Sequence, residues 1–155
     1  MTDDEAMGLA LEEAGKALDH DDVPVGAVVV NARGEVVARR HNERELTNDP
    51  TAHAEILALR DAAALLGSWR LDGATLFVTL EPCPMCAGAL LASRTARVVF
   101  GAADPKAGAT GSLYNLCADP RLNHEVAVVH GIRAAESAAL LTGFFSGRRT
   151  APDPA

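Results

Sequence analysis

The sequence predicts an α/β fold in which a five-stranded mixed sheet carries helices on both faces, a three-layer α/β/α arrangement. Three observations predict it: an opening β-hairpin, later strands that alternate with helices, and an apolar content of 48% in 155 residues, which suffices for one core. Hairpin strands pair antiparallel, whereas strands joined through helices run parallel, so the sheet should be mixed. We expect one domain over residues 1–150 and a disordered tail over 151–155.

The first half of the chain contains a helix, a hairpin and a second helix. Apolar residues recur near a 3.6-residue period over residues 4–18 and predict an amphipathic helix whose outer face holds the acidic side chains. β-branched runs at 25–30 and 36–40 flank a turn and predict the hairpin. Strong helix formers then begin close to His53 and end before Gly67, as expected of a second helix.

Three more strands and two more helices complete the predicted architecture. The strands are expected at 74–80, 97–100 and 125–129, where apolar and β-branched residues cluster. A short helix at 85–92 follows prolines that break the preceding strand, and a last helix is expected at 134–145. Residues 101–111 are rich in glycine and alanine and predict a loop.

Acidic residues are concentrated at the N-terminus. The first 22 residues carry eight acidic side chains and one lysine, which accounts for the net charge of −7; the remainder holds 13 basic and 13 acidic residues. Phosphate binding usually leaves a basic footprint. Because the rest of the chain is neutral, its charge does not exclude a nucleic-acid partner, and Lys106 with Arg148 and Arg149 offers a local basic patch.

Composition also indicates a cytoplasmic protein. No run approaches the roughly 18 apolar residues of a membrane span, and the acidic start is unlike a secretory segment. Cys83 and Cys86 have a spacing that suits a metal better than a disulfide framework. The remaining cysteine, Cys117, is expected to be a small buried apolar side chain.

Residues at two helix starts form a candidate metal site. His53 and the pair Cys83 and Cys86 offer one imidazole and two thiolates, and the two cysteines lie three apart on one face of a helix. The positive end of that helix favours thiolates. Zinc binds such ligands, and the other four histidines are scattered and more typical of surface or loop positions than of ligands.

Three ligands predict a catalytic zinc rather than a structural one. Structural zinc takes four protein ligands, whereas catalytic zinc keeps one position for water. Coordination lowers the pKa of that water from about 15.7 and generates hydroxide. Glu55, two residues after His53, is expected to carry its proton to a leaving amino group. The alternative is a non-catalytic zinc module in which Glu55 only caps the helix.

These residues match a known pattern. His-x-Glu at 53–55 followed by Pro-Cys-x-x-Cys at 82–86 is similar to the cytidine and nucleobase deaminase superfamily. Segments 23–30, 49–55, 79–89 and 101–106 further resemble its members that act on adenosine in bacterial tRNA. The resemblance implies a cytidine deaminase-like fold, one zinc per subunit, a homodimer, and conversion of the wobble adenosine of an arginine tRNA anticodon to inosine.

The resemblance also implies which residues contact the anticodon stem-loop. The corresponding substrate positions are Asn42, Asp104, Lys106, Asn123, Phe145 and Arg149. Asn42 would hydrogen-bond the inserted base, Asp104 and Lys106 the anticodon nucleotides, and the last three the flanking nucleotides.

The residues alone leave simpler interpretations open. Asn42 can merely end the hairpin, Asp104 and Lys106 can form a solvated turn, and Phe145 can belong to the core. Acidic Glu43 and Glu45 stand where the better-known members have a more basic loop. A small-molecule deaminase for guanine or cytosine, which would share both motifs, is the alternative function, and the acidic balance slightly favours it. Against it, the loop at 104–106 and the C-terminal phenylalanines and arginines resemble the members that act on RNA.

Overall fold

The computed structural model describes residues 1–149, with the side chains of 1–148. Helix α1 (Asp3–Ala17) precedes strands β1 (Gly26–Val30) and β2 (Val36–His41), and α2 (Ala54–Leu66) precedes β3 (Thr75–Leu80). The chain continues through α3 (Pro84–Ala92), β4 (Arg97–Ala102), β5 (Ala127–Val129) and α4 (Ala134–Arg149). Single 3-10 turns lie at Leu18–His20 and Leu116–Ala118. The predicted tail 151–155 lies outside the described residues.

The strands form one mixed sheet in the order β2-β1-β3-β4-β5. β1 pairs antiparallel with both β2 and β3, whereas β3, β4 and β5 are parallel. The predicted mixed five-stranded sheet is confirmed. The final helix runs to Arg149, beyond the predicted end at residue 145, and β5 is shorter than expected.

Alternating residues of the central strands separate two apolar layers. Ala27 and Val29 of β1 pack with α2 and α3 in one cluster, whereas Val28 and Val30 pack with α1 in the other. All five residues of β1 are buried, as expected of a strand covered on both faces. The three-layer α/β/α arrangement is therefore confirmed for the described residues.

Glu13 is buried, which contradicts its prediction as an acid on the outer face of the first helix, and Asp22, beyond that helix, is buried too. Glu13 is 4% exposed and lies within ion-pair distance of Lys16, Arg39 and His41. Asp22 is fully buried. The helical period of α1 cannot reveal these contacts, because strand β2 supplies Arg39 and His41, two of the three partners of Glu13.

One edge of the sheet brings together the elements that carry the candidate site. β2 ends and β1 begins at the same edge, since Gly26 pairs with His41. β3 ends there too, because it is antiparallel to β1 and its Thr79 hydroxyl accepts a hydrogen bond from the Gly26 amide. Helices α2 and α3 begin beside this edge. Among residues 1–149, no helix is long and apolar enough to cross a membrane.

Candidate active site

The three predicted metal ligands meet at the N-termini of α2 and α3. His53 is the N-cap of α2 and Cys83 is the N-cap of α3, both with extended backbone. Cys86 lies three residues further on, fully buried. The His53 Nδ1 atom is 3.6 Å from Cys83 Sγ and 3.5 Å from Cys86 Sγ. The ligand atoms of all three residues lie within 4.8 Å of one another.

This geometry fits a tetrahedral zinc ion. Zn–S bonds of about 2.3 Å and Zn–N bonds of about 2.0–2.1 Å at a tetrahedral angle separate sulfur from nitrogen by about 3.5–3.6 Å. The observed separations of 3.6 and 3.5 Å agree with that value. No fourth His, Cys, Asp or Glu joins the group within the part of the chain that the structure describes. The donor set therefore leaves one coordination position open.

The environment of the two cysteines favours a thiolate, the form that binds a cation. A hydrogen bond from the Cys86 thiol lowers the pKa of Cys83 to about 4. The same bond raises the pKa of Cys86, so without a metal the pair shares one thiolate. Contact with Cys83 in turn raises the pKa of His53. A bound divalent cation would replace the proton of Cys86 and make both sulfurs thiolates.

Glu55 faces the same cavity from the first turn of α2. Its side chain is 4% exposed, and burial raises the pKa of its carboxyl group. It lines a pocket together with His53 and Cys83 without belonging to the metal-binding group. A carboxyl group that resists ionisation can carry a proton between two positions near neutral pH.

The pocket is small and half apolar. Its lining consists of Val23, Val25, Asn42, Arg44, His53, Ala54, Glu55, Leu80, Glu81, Cys83, Asp104 and Ala107. The cavity volume is about 170 Å³, below the roughly 300–1,000 Å³ of sites that enclose drug-sized ligands. It therefore has room for a single ring system, and anything attached to that ring must lie outside.

Asn42 lines this pocket and also ends the hairpin. The Nδ2 atom donates to the Val23 carbonyl at 3.2 Å, and Oδ1 accepts from the Arg44 amide at 3.1 Å. These bonds use one of the two N–H groups and one of the two oxygen lone pairs, so with respect to residues 1–148 one N–H and one lone pair remain. The two interpretations of Asn42 that the sequence left open are therefore compatible.

The loop at residues 101–111 carries two predicted substrate residues, and only Asp104 of these lines the pocket. Asp104 is half-buried and lines the pocket. Its Oδ1 accepts from the amides of Lys106 and Ala107 at 3.0 and 3.2 Å, which shapes the turn. Lys106 is exposed and does not line the pocket.

Of the remaining predicted substrate residues, Asn123 and Phe145 do not line the cavity. Asn123 is exposed before β5, and Phe145 on α4 is 45% exposed. Phe144 is half-buried and meets Phe145 edge to face, so α4 buries one of its two aromatic residues more than the other. The side chain of Arg149 lies outside what the structure describes. Cys117 is fully buried as expected, and burial raises its pKa to about 11.

Sequence reasoning missed two charged residues of the pocket, Glu81 and Arg44. Glu81 is 2% exposed and accepts four hydrogen bonds from the loop that follows β4. The sequence feature that could have identified it is a glutamate directly after a buried strand and before Pro82. Burying a carboxylate there costs free energy unless the carboxylate is hydrogen-bonded. Arg44 had no comparable signal, since its position depends on how the loop after β2 folds back.

Comparison with known proteins places the chain among deaminases. A family model described as MafB19-like deaminase matches residues 1–149. A tRNA-specific adenosine deaminase of Bacillus subtilis (strain 168) is 52% identical over 146 residues, 94% of this chain and 90% of the relative. A solved structure from studies of A-to-I editing by tRNA:A34 deaminases at the wobble position of transfer RNA has a TM-score of 0.85 and 47% identity, covering 88% of this chain and 99% of its own.

A second solved structure is that of a guanine deaminase, a different class of deaminase. The guanine deaminase from Nitrosomonas europaea has a TM-score of 0.80 at 28% identity, covering 92% of this chain and 84% of its own. These likenesses confirm the predicted cytidine deaminase-like fold and the resemblance of the sequence to deaminases.

Proposed function

The chain belongs to the MafB19-like deaminase family, and from this membership we propose that it is a zinc-dependent tRNA-specific adenosine deaminase. Its substrate is the wobble adenosine of an arginine tRNA anticodon, and its products are inosine and ammonia. The observation that carries the proposal is the cluster of His53, Cys83 and Cys86, with an open coordination position beside buried Glu55. The 52% identity to a tRNA-specific adenosine deaminase selects the substrate class.

Zinc held by His53, Cys83 and Cys86 would lower the pKa of a water at its fourth position and so supply the nucleophile at neutral pH. Glu55 receives the proton of that water and delivers it to the amino group on C6 of adenine. The carbon–nitrogen bond breaks, ammonia leaves, and the oxygen of water remains on the ring. Burial of Glu55, which is 4% exposed, limits the exchange of this proton with bulk water.

Other pocket residues hold the ring for this transfer. Val23, Val25 and Leu80 offer apolar contact, and Asn42 has a free N–H and a free lone pair for polar ring atoms. The cavity admits one base, so the sugar and the neighbouring nucleotides must lie on the rim. An unpaired loop base enters without much of the unstacking cost of a few kcal/mol that a duplex base would require.

Rim residues are proposed to contact the rest of the anticodon stem-loop. Lys106 is exposed beside the pocket wall, and Phe145 offers an exposed aromatic face. Asn123 and Arg149 remain proposed contacts for flanking nucleotides, on the strength of the family resemblance. Arg44 adds a cation at the pocket itself and partly offsets the acidic loop that contains Glu43 and Glu45.

We also propose a cytoplasmic homodimer, with tRNA reaching each pocket from solution. An apolar groove runs along the outer faces of α2 and α3, between Ile56 and Ala63 on one helix and Ala89 and Ala92 on the other. Trp69 lines it and is 63% exposed. A second copy of the chain would cover this groove beside the helices that carry the ligands, and sedimentation of a monomer would contradict it.

Guanine is the competing substrate, since a guanine deaminase shares the fold at 28% identity. Purified protein incubated in parallel with an arginine anticodon stem-loop, guanine and cytosine separates the candidates by their products: inosine, xanthine or uracil. Inosine at the wobble position is expected. Glu55→Ala is the control for contaminating deaminases, and xanthine or uracil without inosine would refute the proposed substrate.

A further inference from the structure

Glu81 is a buried carboxylate that the proposed proton transfer does not use. It follows β3 directly, lines the pocket, and is 2% exposed. Among residues 1–148, no Lys, Arg or His forms an ion pair with it. A buried carboxylate without a cation must be stabilised by hydrogen bonds alone.

All of the hydrogen-bond donors to Glu81 come from residues 103–112, named here the wall loop. Oε1 accepts from the Asp104 amide at 3.0 Å and from the Ser112 hydroxyl. Oε2 accepts from the amides of Thr110 and Ser112 at 3.2 and 3.0 Å. One side chain therefore binds both ends of the wall loop.

The middle of the wall loop packs directly on the same carboxylate. A Cβ atom added to Gly108 would lie 2.3 Å from the Glu81 carboxyl carbon and 2.4 Å from each of its oxygens. Only glycine fits such an approach without movement of the loop or of the Glu81 side chain. The neighbouring Ala109 amide donates to the Pro82 carbonyl at 2.8 Å, which joins the loop to the turn that leads into Cys83.

The wall loop faces the substrate pocket. Asp104 and Ala107 line the cavity, and the exposed Lys106 lies between them in the sequence. The position of Asp104 depends on the bond from its amide to Glu81, and Asp104 in turn holds the amides of Lys106 and Ala107. Thus the geometry of one pocket wall depends on a single carboxylate two residues before a predicted zinc ligand.

We propose that Glu81 is a positioning residue: by anchoring the wall loop, it fixes the pocket wall against which the anticodon stem-loop binds, and so determines substrate affinity rather than the chemical step. This inference rests on the proposed function for its substrate. The anchoring itself rests on the hydrogen bonds and on the approach of Gly108.

The test combines amide hydrogen exchange with steady-state kinetics on the arginine anticodon stem-loop, using zinc-loaded protein. Glu81→Gln keeps the side-chain volume but places an NH₂ group opposite N–H donors. One bond is lost if the NH₂ takes the Oε1 position, where the Ser112 hydroxyl can accept instead, and two are lost if it takes the Oε2 position. We expect the amides of Asp104, Thr110 and Ser112 to exchange at least about tenfold faster, and KM to rise about tenfold or more. The kcat should stay within about threefold, and zinc content should not change.

Two milder variants keep the test decisive if Glu81→Gln fails to fold. Ser112→Ala removes one hydrogen bond from an exposed residue, and Gly108→Ala pushes the loop away from the carboxylate. Both should raise exchange and KM in the same direction, with a smaller effect for Ser112→Ala. Asp3→Asn, which breaks a carboxylate pair far from the pocket, is the control and should change neither quantity.

The possible results separate the two claims. Unchanged exchange in the wall loop of Glu81→Gln would overturn the anchoring. Faster exchange with an unchanged KM would overturn the role in affinity, and a loss of kcat without a change in KM would place Glu81 in the chemistry instead. Absence of inosine with the wild-type protein would overturn the proposed function, while the exchange data would still decide the anchoring.

Discussion

Replacing Glu55 with glutamine removes the proposed proton carrier but preserves the volume of the side chain. The residue is only 4% exposed, so the volume matters for packing. The amide cannot accept a proton from water at neutral pH. Glu55 is outside the metal-binding group, so zinc should remain bound. Burial raises the pKa of the carboxyl group, so a neutral amide should not lower the free energy of unfolding.

The expected loss follows from the two proton movements in each turnover. General acid–base catalysis contributes about 10²–10⁴ in rate, which corresponds to about 3–5 kcal/mol of transition-state stabilisation. We therefore expect the kcat of Glu55→Gln to fall at least about 100-fold, with KM for the stem-loop changed little.

The assay is inosine formation in the anticodon stem-loop, measured beside zinc content and thermal unfolding. Glu13→Gln is the matched control, because Glu13 is also a helical glutamate that is 4% exposed. It should lose about 1–3 kcal/mol of stability through its broken charged hydrogen bonds but keep the activity of the folded fraction. Turnover by zinc-loaded Glu55→Gln within tenfold of wild type would refute the role of Glu55.

Three further substitutions test the metal site and the packing around it. Cys86→Ala should leave well under one zinc per chain after dialysis, measured by atomic absorption, and stoichiometric zinc would contradict the ligand set. Asp3→Asn breaks a pair with Arg97, in which both oxygens accept at 2.9 Å and both side chains are one-third exposed; we expect a loss of about 0.5–1 kcal/mol at pH 7. The hydrogen bond from Arg97 lowers the pKa of Asp3 below 3.8, so the difference from wild type should be complete above pH 3.8 and vanish as the pH falls through the lower folded value; a difference in melting temperature that persists at pH 2 would contradict this. Gly26→Ala places a Cβ atom 1.9 Å from the Ala10 carbonyl oxygen and should cost about 1–3 kcal/mol or more in urea unfolding, whereas a change below about 0.5 kcal/mol would refute the close approach of α1 to β1.

Much of the fold could be predicted because its signals are local. The end of α2 was predicted at Gly67, which adopts a φ of 67° that glycine accommodates readily. The start of α3 followed from Pro84, which is well suited to the first turn of a helix. The length of α4 was underestimated, since Ser146 to Arg149 carry no strong helical signal of their own.

The metal group was predictable for a similar reason. Two cysteines three apart share a helix face whatever the rest of the chain does. That His53 lies close to the two cysteines could only be expected from the sequence. The short distances arise because β1 and β3 bring the starts of α2 and α3 together. The pocket walls were less predictable still, because Arg44 and Glu81 reach the cavity through loops.

The sequence by itself determined the order of helices and strands, the ligand types and the carboxylate beside them, since periodicity, turn residues and side-chain chemistry act over a few positions. Only the tertiary structure decided that Glu13 and Asp22 are buried, that Glu81 holds the wall loop, and that the cavity admits a single ring system such as a nucleobase. Those properties arise from contacts between segments distant in the chain, where the free energy of burying a charge depends on partners that local patterns do not specify.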